Sequence, residues 1–206
     1  MFLELKNILF SYKNFQILEK LNFSFEKVGF YTITWPSWSW KTTLLKIIWW
    51  FLKPNSGEII FEWKNLYKQK NLINFRQKII GFSYQQLHLI DELSVEDNLD
   101  LKAKLTGIKI DKSWKKYLLE YFEIENLLNK KVSEISWGQA LRVSLVKSVL
   151  LKPKILLLDE PESWLDSKLI KKLQVFEKDY AKNNLVIISS HYLNSEKNNF
   201  LSIKKI

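Results

Sequence analysis

Hydrophobic positions along the chain follow two rhythms, and the rhythm changes with position. Before residue 34 they come in short runs such as Leu3-Glu4-Leu5 and Leu21-Asn22-Phe23-Ser24-Phe25, broken by turns. That pattern predicts an antiparallel β-subdomain over residues 2–33. Phe30 to Thr34 reads as an apolar strand, and Leu44 to Ile48 as an apolar helix after it. Lys53-Pro54-Asn55-Ser56-Gly57 is a turn that leads into a strand at Ile59-Ile60-Phe61. From about Leu87 to Leu150 the spacing becomes helical. Ser94-Val95-Glu96-Asp97 has the form of a capping box, Tyr117 to Leu128 carries apolar residues at helical intervals, and Ala140 to Leu150 predicts a further helix. Ile155 to Leu158 and Leu185 to Ile188 are apolar at every position, as strands covered on both faces of a parallel sheet are. Each ends in polar residues, Asp159-Glu160 in one case and Ser189-Ser190-His191 in the other. The alternation of buried strands with helices places the chain in the α/β class.

Length and charge narrow this picture. The 206 residues fit one domain, with 87–150 as a helical subdomain inside it. There is no cysteine, so a disulfide framework and a thiolate metal site are both excluded. No apolar run approaches the roughly 20 residues of a membrane helix, and Met1-Phe2-Leu3-Glu4 lacks the form of a signal peptide. A cytoplasmic protein that reaches a membrane through a partner is expected. The net charge of +10 would suit nucleic acid, but the lysines are scattered. The 30 Lys against only Arg76 and Arg142, with 3 Ala, reflect an A/T-rich coding sequence, so no direct nucleic-acid partner is expected.

Candidate chemistry is concentrated in Trp35-Pro36-Ser37-Trp38-Ser39-Trp40-Lys41-Thr42-Thr43, between the strand at 30–34 and the helix at 44–48. With glycine in place of each tryptophan it reads Gly-x-x-Gly-x-Gly-Lys-Thr-Thr, a loop whose backbone N–H groups wrap nucleotide phosphates. Glycine matters there because a left-handed backbone costs other residues roughly 1–2 kcal/mol each. The same replacement turns Ser136-Trp137-Gly138-Gln139 into Ser-Gly-Gly-Gln, and Ser163-Trp164-Leu165-Asp166 into Ser-Gly-Leu-Asp. In this order and spacing, from about Phe2 to His191, the chain resembles the ATP-binding cassette (ABC) ATPases. Within them it is most similar to the lipoprotein-release and macrolide or peptide export branch, through the Trp49-Trp50 pair read as Gly-Gly, Phe75 to Phe82, and Leu87 to Ile90.

The resemblance implies a P-loop NTPase fold and a set of roles. Residues 35–43 would bind ATP, and Tyr12 would stack on the adenine, the alternative being a buried strand aromatic. Thr42, Asp159 and Gln85 would hold Mg2+, with Gln86 an ambiguity of one residue. Glu160 would be the general base, and His191 would orient the attacking water. Ser136, Trp137, Gly138 and Gln139 would reach the ATP of a second subunit, joined by the Ser163, Trp164, Leu165 and Asp166 loop. It also implies a dimer, either homodimeric or paired with a related subunit, and a separate membrane permease. Departures from the family pattern occur at Ala140, Leu141, Glu162 and Tyr192.

Nine tryptophans stand beside only 5 glycines, and conversion of all nine would give 5 + 9 = 14 glycines. That brings glycine to about 7% of the chain, the usual content of proteins. Trp35, Trp38, Trp40, Trp49, Trp50, Trp63, Trp137 and Trp164 each fall where a glycine, or in one case a small residue, is expected; Trp114 has no such role. The expectation is that the coding sequence uses UGA for glycine, and UGG codons at these positions would refute it. The competing readings are an inactive nucleotide-site paralogue, if the tryptophans are real, and a soluble ABC ATPase acting on DNA or ribosomes. The latter fits poorly with a spacing of only 95 residues from Lys41 to Ser136.

Overall fold

A computed structural model describes residues 2–13, 15–34, 38–68, 72–84, 87–163, 165–190 and 202–205. Two sheets form. The first is antiparallel, with strands β1 (Leu3–Tyr12), β2 (Phe15–Phe25), β4 (Ser56–Phe61) and β5 (Lys64–Asn65) in the order β2-β1-β4-β5. The second has the order β6-β7-β8-β3-β9, from β3 (Gly29–Thr34), β6 (Ile80–Ser83), β7 (Ile155–Asp159), β8 (Leu185–Ser189) and β9 (Ser202–Lys205). It is parallel except for β9, which runs antiparallel to β3. Of the antiparallel run expected over 2–33, only the part up to Phe25 joins the antiparallel sheet, which resumes with β4 and β5; Gly29–Thr34 belongs to the parallel sheet.

Among the described residues six α-helices accompany the strands: α1 (Trp38–Ile48), α2 (Leu72–Ile79), α3 (Val95–Thr106), α4 (Lys112–Tyr121), α5 (Trp137–Val149) and α6 (Ser167–Ala181). The parallel sheet divides two hydrophobic layers. Tyr31, Ile33, Ile155, Leu157, Leu185 and Ile187 face α1 and the antiparallel sheet. Their neighbours Phe30, Leu156, Leu158, Val186 and Ile188 face the other layer, with residues of α3 to α6. Burial on both faces explains why β7 and β8 lack polar alternation. Gly81 lets α5 lie against β6, because a Cβ there would collide with the Ser148 carbonyl oxygen.

Two helices depart from expectation. The winding of α1 begins at Trp38, six residues before the expected Leu44, so Lys41-Thr42-Thr43 lies within its first turns. The helix predicted from Tyr117 to Leu128 ends at Tyr121. There Glu123 takes a left-handed φ of 55° and Ile124 N–H bonds back to Leu119 O at 3.0 Å, a left-handed C-terminal cap. The break lets Phe122 and Ile124 both enter the core, Phe122 edge-on to Phe176 at 5.3 Å. The Ser94 cap on α3 forms as expected, accepting from Asp97 N at 3.0 Å.

Candidate functional site

Parallel strands deliver their C-terminal ends to one edge of a sheet, and the loops beyond them are where open α/β sheets bind ligands. β3 leads toward the tryptophan-rich loop, β7 ends at Asp159, and β8 ends at Ser189. Trp35, Pro36 and Ser37 lie outside the described residues, and of Trp38 and Ser39 only the helical backbone is described. Trp40 is partly buried against the core, and Thr43 is buried.

Two pairs of residues, distant from each other in sequence, meet at this edge. The Thr42 hydroxyl donates to Asp159 Oδ2 at 2.7 Å. Lys41 Nζ is 3.1 Å from Glu160 Oε1, with the lysine side chain fully enclosed. Burial draws the Lys41 ammonium below the ordinary lysine value; the hydrogen bond and charge of Glu160, then the charge of Asp159, oppose it. Burial likewise pushes the Asp159 carboxyl up, against hydrogen bonds from Ser189 and Thr42. Buried groups shifted in this way, within one cluster at a strand end, make this edge the candidate functional site.

Ser189 was not singled out by the sequence. Its hydroxyl donates to Asp159 Oδ1 at 2.6 Å and accepts from Glu160 N at 3.0 Å. It sits in register with Asp159 across β7 and β8. A hydroxyl ending an otherwise apolar strand was the available signal, but only strand pairing shows which carboxylate it serves. The same contact steadies Glu160, whose φ of 51° is left-handed and strained for a non-glycine residue.

A divalent cation fits this donor set. Asp159 and Thr42 present hard oxygen atoms side by side, the type Mg2+ prefers. Among the described residues no group of three acidic or histidine side chains forms a cage. Such sites characteristically complete the Mg2+ shell with phosphate oxygens and water. Gln85 and His191 lie outside the described residues.

Tyr12 closes β1 with 46% of its surface exposed and its ring edge-on to Phe10, so it is not a buried strand aromatic. Ser136 caps α5, accepting from Gln139 N at 3.3 Å, while Gln139 Oε1 accepts from Ser136 N at 2.8 Å. This capping box fixes the helix start, and the N-terminus of a helix attracts anions. Trp137 follows the cap with 52% exposure, and Gly138 is next to it. The departures Ala140 and Leu141 are buried and pack with Leu87. On the loop after β7, Ser163 N–H bonds to Glu160 O at 3.1 Å, and Leu165 N–H to Glu162 O at 3.3 Å. Asp166 caps α6 by accepting from Leu169 N at 2.8 Å. Glu162 accepts from Gln174 of α6 at 2.9 Å. Trp164 and Tyr192 lie outside the described residues.

The tryptophans that are described separate into kinds. Trp50 has φ 60° and Trp63 has φ 69°, left-handed positions unfavourable to a bulky residue. Trp50 is buried with its Nε1 unpaired. Trp49 packs beneath Arg76, whose guanidinium lies 4.5 Å from its ring. Trp114 is different: it lies inside α4, donates from Nε1 to Val149 O at 3.1 Å, and stacks on Tyr117 at 5.3 Å.

Comparison with known proteins follows the same lines. The sequence profile of the family described as ABC transporter matches residues 18–163. The ABC transporter ATP-binding protein YxdL of Bacillus subtilis is 38% identical over 176 residues, 82% of this chain and 68% of that protein. The spermidine/putrescine import ATP-binding protein PotA of Mycoplasma capricolum is 38% identical, covering 84% of this chain and 48% of its own length. The macrolide export ATP-binding/permease protein MacB of Campylobacter jejuni is 33% identical, over 91% of this chain and 30% of its own. The chain thus spans about half, or less, of two of these relatives. Among solved structures, the dimeric bacterial ABC transporter cassette MJ0796 superposes with a TM-score of 0.83 at 28% identity, covering 93% of this chain and 89% of that one. It is also known in a post-hydrolysis state bound to ADP and Pi.

Proposed function

The chain belongs to the ABC transporter family of ATP-binding cassettes, and from that premise we propose that it binds and hydrolyses ATP and drives a separate membrane permease by closing as a dimer over two nucleotides. The observation that carries the reading is the convergence of Lys41, Thr42, Asp159, Glu160 and Ser189 at one sheet edge. Lys41 would bind phosphate oxygens, which compete with Glu160 for its ammonium. Glu160, once relieved of that partner, accepts the proton of the attacking water, while Ser189 holds its backbone in place. Asp159 and Thr42 would hold Mg2+, which supplies neutralisation of charge on the phosphates. Gln85 and His191 complete the set by their place in the motif order. Ser136 and the start of α5 would receive the ATP of the second subunit, beside the loop at Ser163, Leu165 and Asp166. With relatives in both import and export systems, the direction of transport is set by the permease. No described helix is long and apolar enough to cross a membrane, so a permease partner would bring the cassette to the cytoplasmic face.

The reading requires small residues in the phosphate loop, and we assign glycine to positions 35, 38, 40, 49, 50, 63, 137 and 164 in the native protein. Trp114 stands apart: its ring and N–H are both used. Protein with glycine at those eight positions should hydrolyse Mg-ATP, and Glu160→Gln should keep ATP bound while turnover falls about 10²–10⁴-fold. Failure of the folded glycine form to bind ATP would defeat the proposal. Light scattering on the Glu160→Gln form with ATP reads the dimer.

A further inference from the structure

A buried acid stands apart from the nucleotide site. Glu177 lies on the inner face of α6 at 0% exposure, in line with the buried Leu173 and Ala181. Neither of its carboxylate oxygens has a hydrogen-bond partner. A second orphan shares its layer: Thr32 of β3 is buried and its Oγ1 is also unpaired. On β3, Tyr31 and Ile33 enter the layer of α1, whereas Phe30 enters the layer of α6, so Thr32 points to the α6 side. α6 packs directly on β3 and β8. An apolar layer holding two unsatisfied polar side chains tolerates a neutral acid far better than a carboxylate ion.

The charges around Glu177 do not offset its burial. Among the described residues, the charged groups that act on it are Glu162, which disfavours ionisation, and Lys178, which favours it. β3 and β8 carry no charged side chain. α4 meets α6 through the rings of Trp114 and Tyr121, with Phe122 beside them. Burial above all, then Glu162, raises the Glu177 carboxyl from the ordinary 4.5 to about 8.

We propose that Glu177 is a proton-operated latch: uncharged, it lets α6 dock on β3 and β8, and once ionised it drives the inner face of α6 off the sheet. The latch reaches the nucleotide site at two points, since α6 begins at the Asp166 cap and β3 runs into the phosphate loop. The fold binds this proton more tightly than the unfolded chain does. Its stabilising effect is therefore complete below about 4.5 and is lost as pH rises toward about 8.

The test uses the full chain without nucleotide, so its outcome is separate from that of the ATPase reading. Carbon-13 NMR of glutamate carboxyls should show one resonance titrating near neutral to mildly alkaline pH, absent in Glu177→Gln. The melting temperature should fall by about 5 °C or more between mildly acidic and mildly alkaline buffer, a slope that Glu177→Leu and Glu177→Gln flatten. All glutamate resonances titrating in the ordinary acidic range, or an unchanged slope in the variants, would overturn the latch. Should both variants fail to fold, the titration in the unsubstituted chain decides alone.

Discussion

The two ends of the parallel sheet handle polar groups in opposite ways. At the C-terminal edge, Lys41, Asp159 and Glu160 are buried together and the Glu160 backbone is left-handed. At the opposite end, beneath Trp114, the ring polar groups are paired: Trp114 Nε1 donates to Val149 O, and Tyr180 Oη donates to Pro153 O at 2.8 Å. Enclosed, paired charge collects where chemistry is proposed, whereas rings with bonded N–H and O–H groups line the supporting end, although Lys152 there is also left-handed, at φ 50°. The same division sorts the tryptophans. Trp50 and Trp63 sit on left-handed backbone, as glycine would, whereas Trp114 lies in the first helical turn of α4 with its indole N–H and ring both engaged.

That contrast can be broken most sharply at the phosphate loop. Trp35→Gly, Trp38→Gly and Trp40→Gly together should raise ATP affinity about 10²-fold or more, roughly 3 kcal/mol, because three indoles at or just before the start of α1 would occupy space the phosphates need. Equilibrium binding of a fluorescent ATP analogue reads this, and unchanged affinity would remove the distinction between the two ends. The next largest effect is expected at the far end. Trp114→Gly should cost about 2–3 kcal/mol, from packing lost by a partly buried ring and from the lost Nε1 hydrogen bond, measured by urea unfolding. Trp63→Gly should instead stabilise by about 1 kcal/mol, because its side chain is exposed and its φ favours glycine. If both changes move stability the same way, Trp114 belongs with the others. The smallest effect tests the joint between site and scaffold: Asp166→Ala should cost about 1 kcal/mol through loss of the α6 cap, in the same assay.

Much of this organisation was legible along the chain. The runs 155–158 and 185–188 announce strands buried on both faces, and Ser94 and Ser136 announce helix starts, because burial and capping are local signals. Two boundaries were misplaced for reasons that are not local. The break after Tyr121 depends on Phe176, 54 residues away, offering Phe122 a place in the core. Assignment of Gly29–Thr34 to the parallel sheet depends on pairing with β8, more than 150 residues downstream.

The sequence by itself determined the family, the α/β class and the order of the chemical motifs, since these are written as residue types at fixed spacing. Only the tertiary structure decided that Ser189 binds Asp159, that Tyr12 is exposed, that Trp114 is bonded through its indole, and that Glu177 is sealed beside β3 without a partner. Spacing along a chain records which groups exist; the company each one keeps, and hence its charge and strain, depends on strands and helices that meet only after folding.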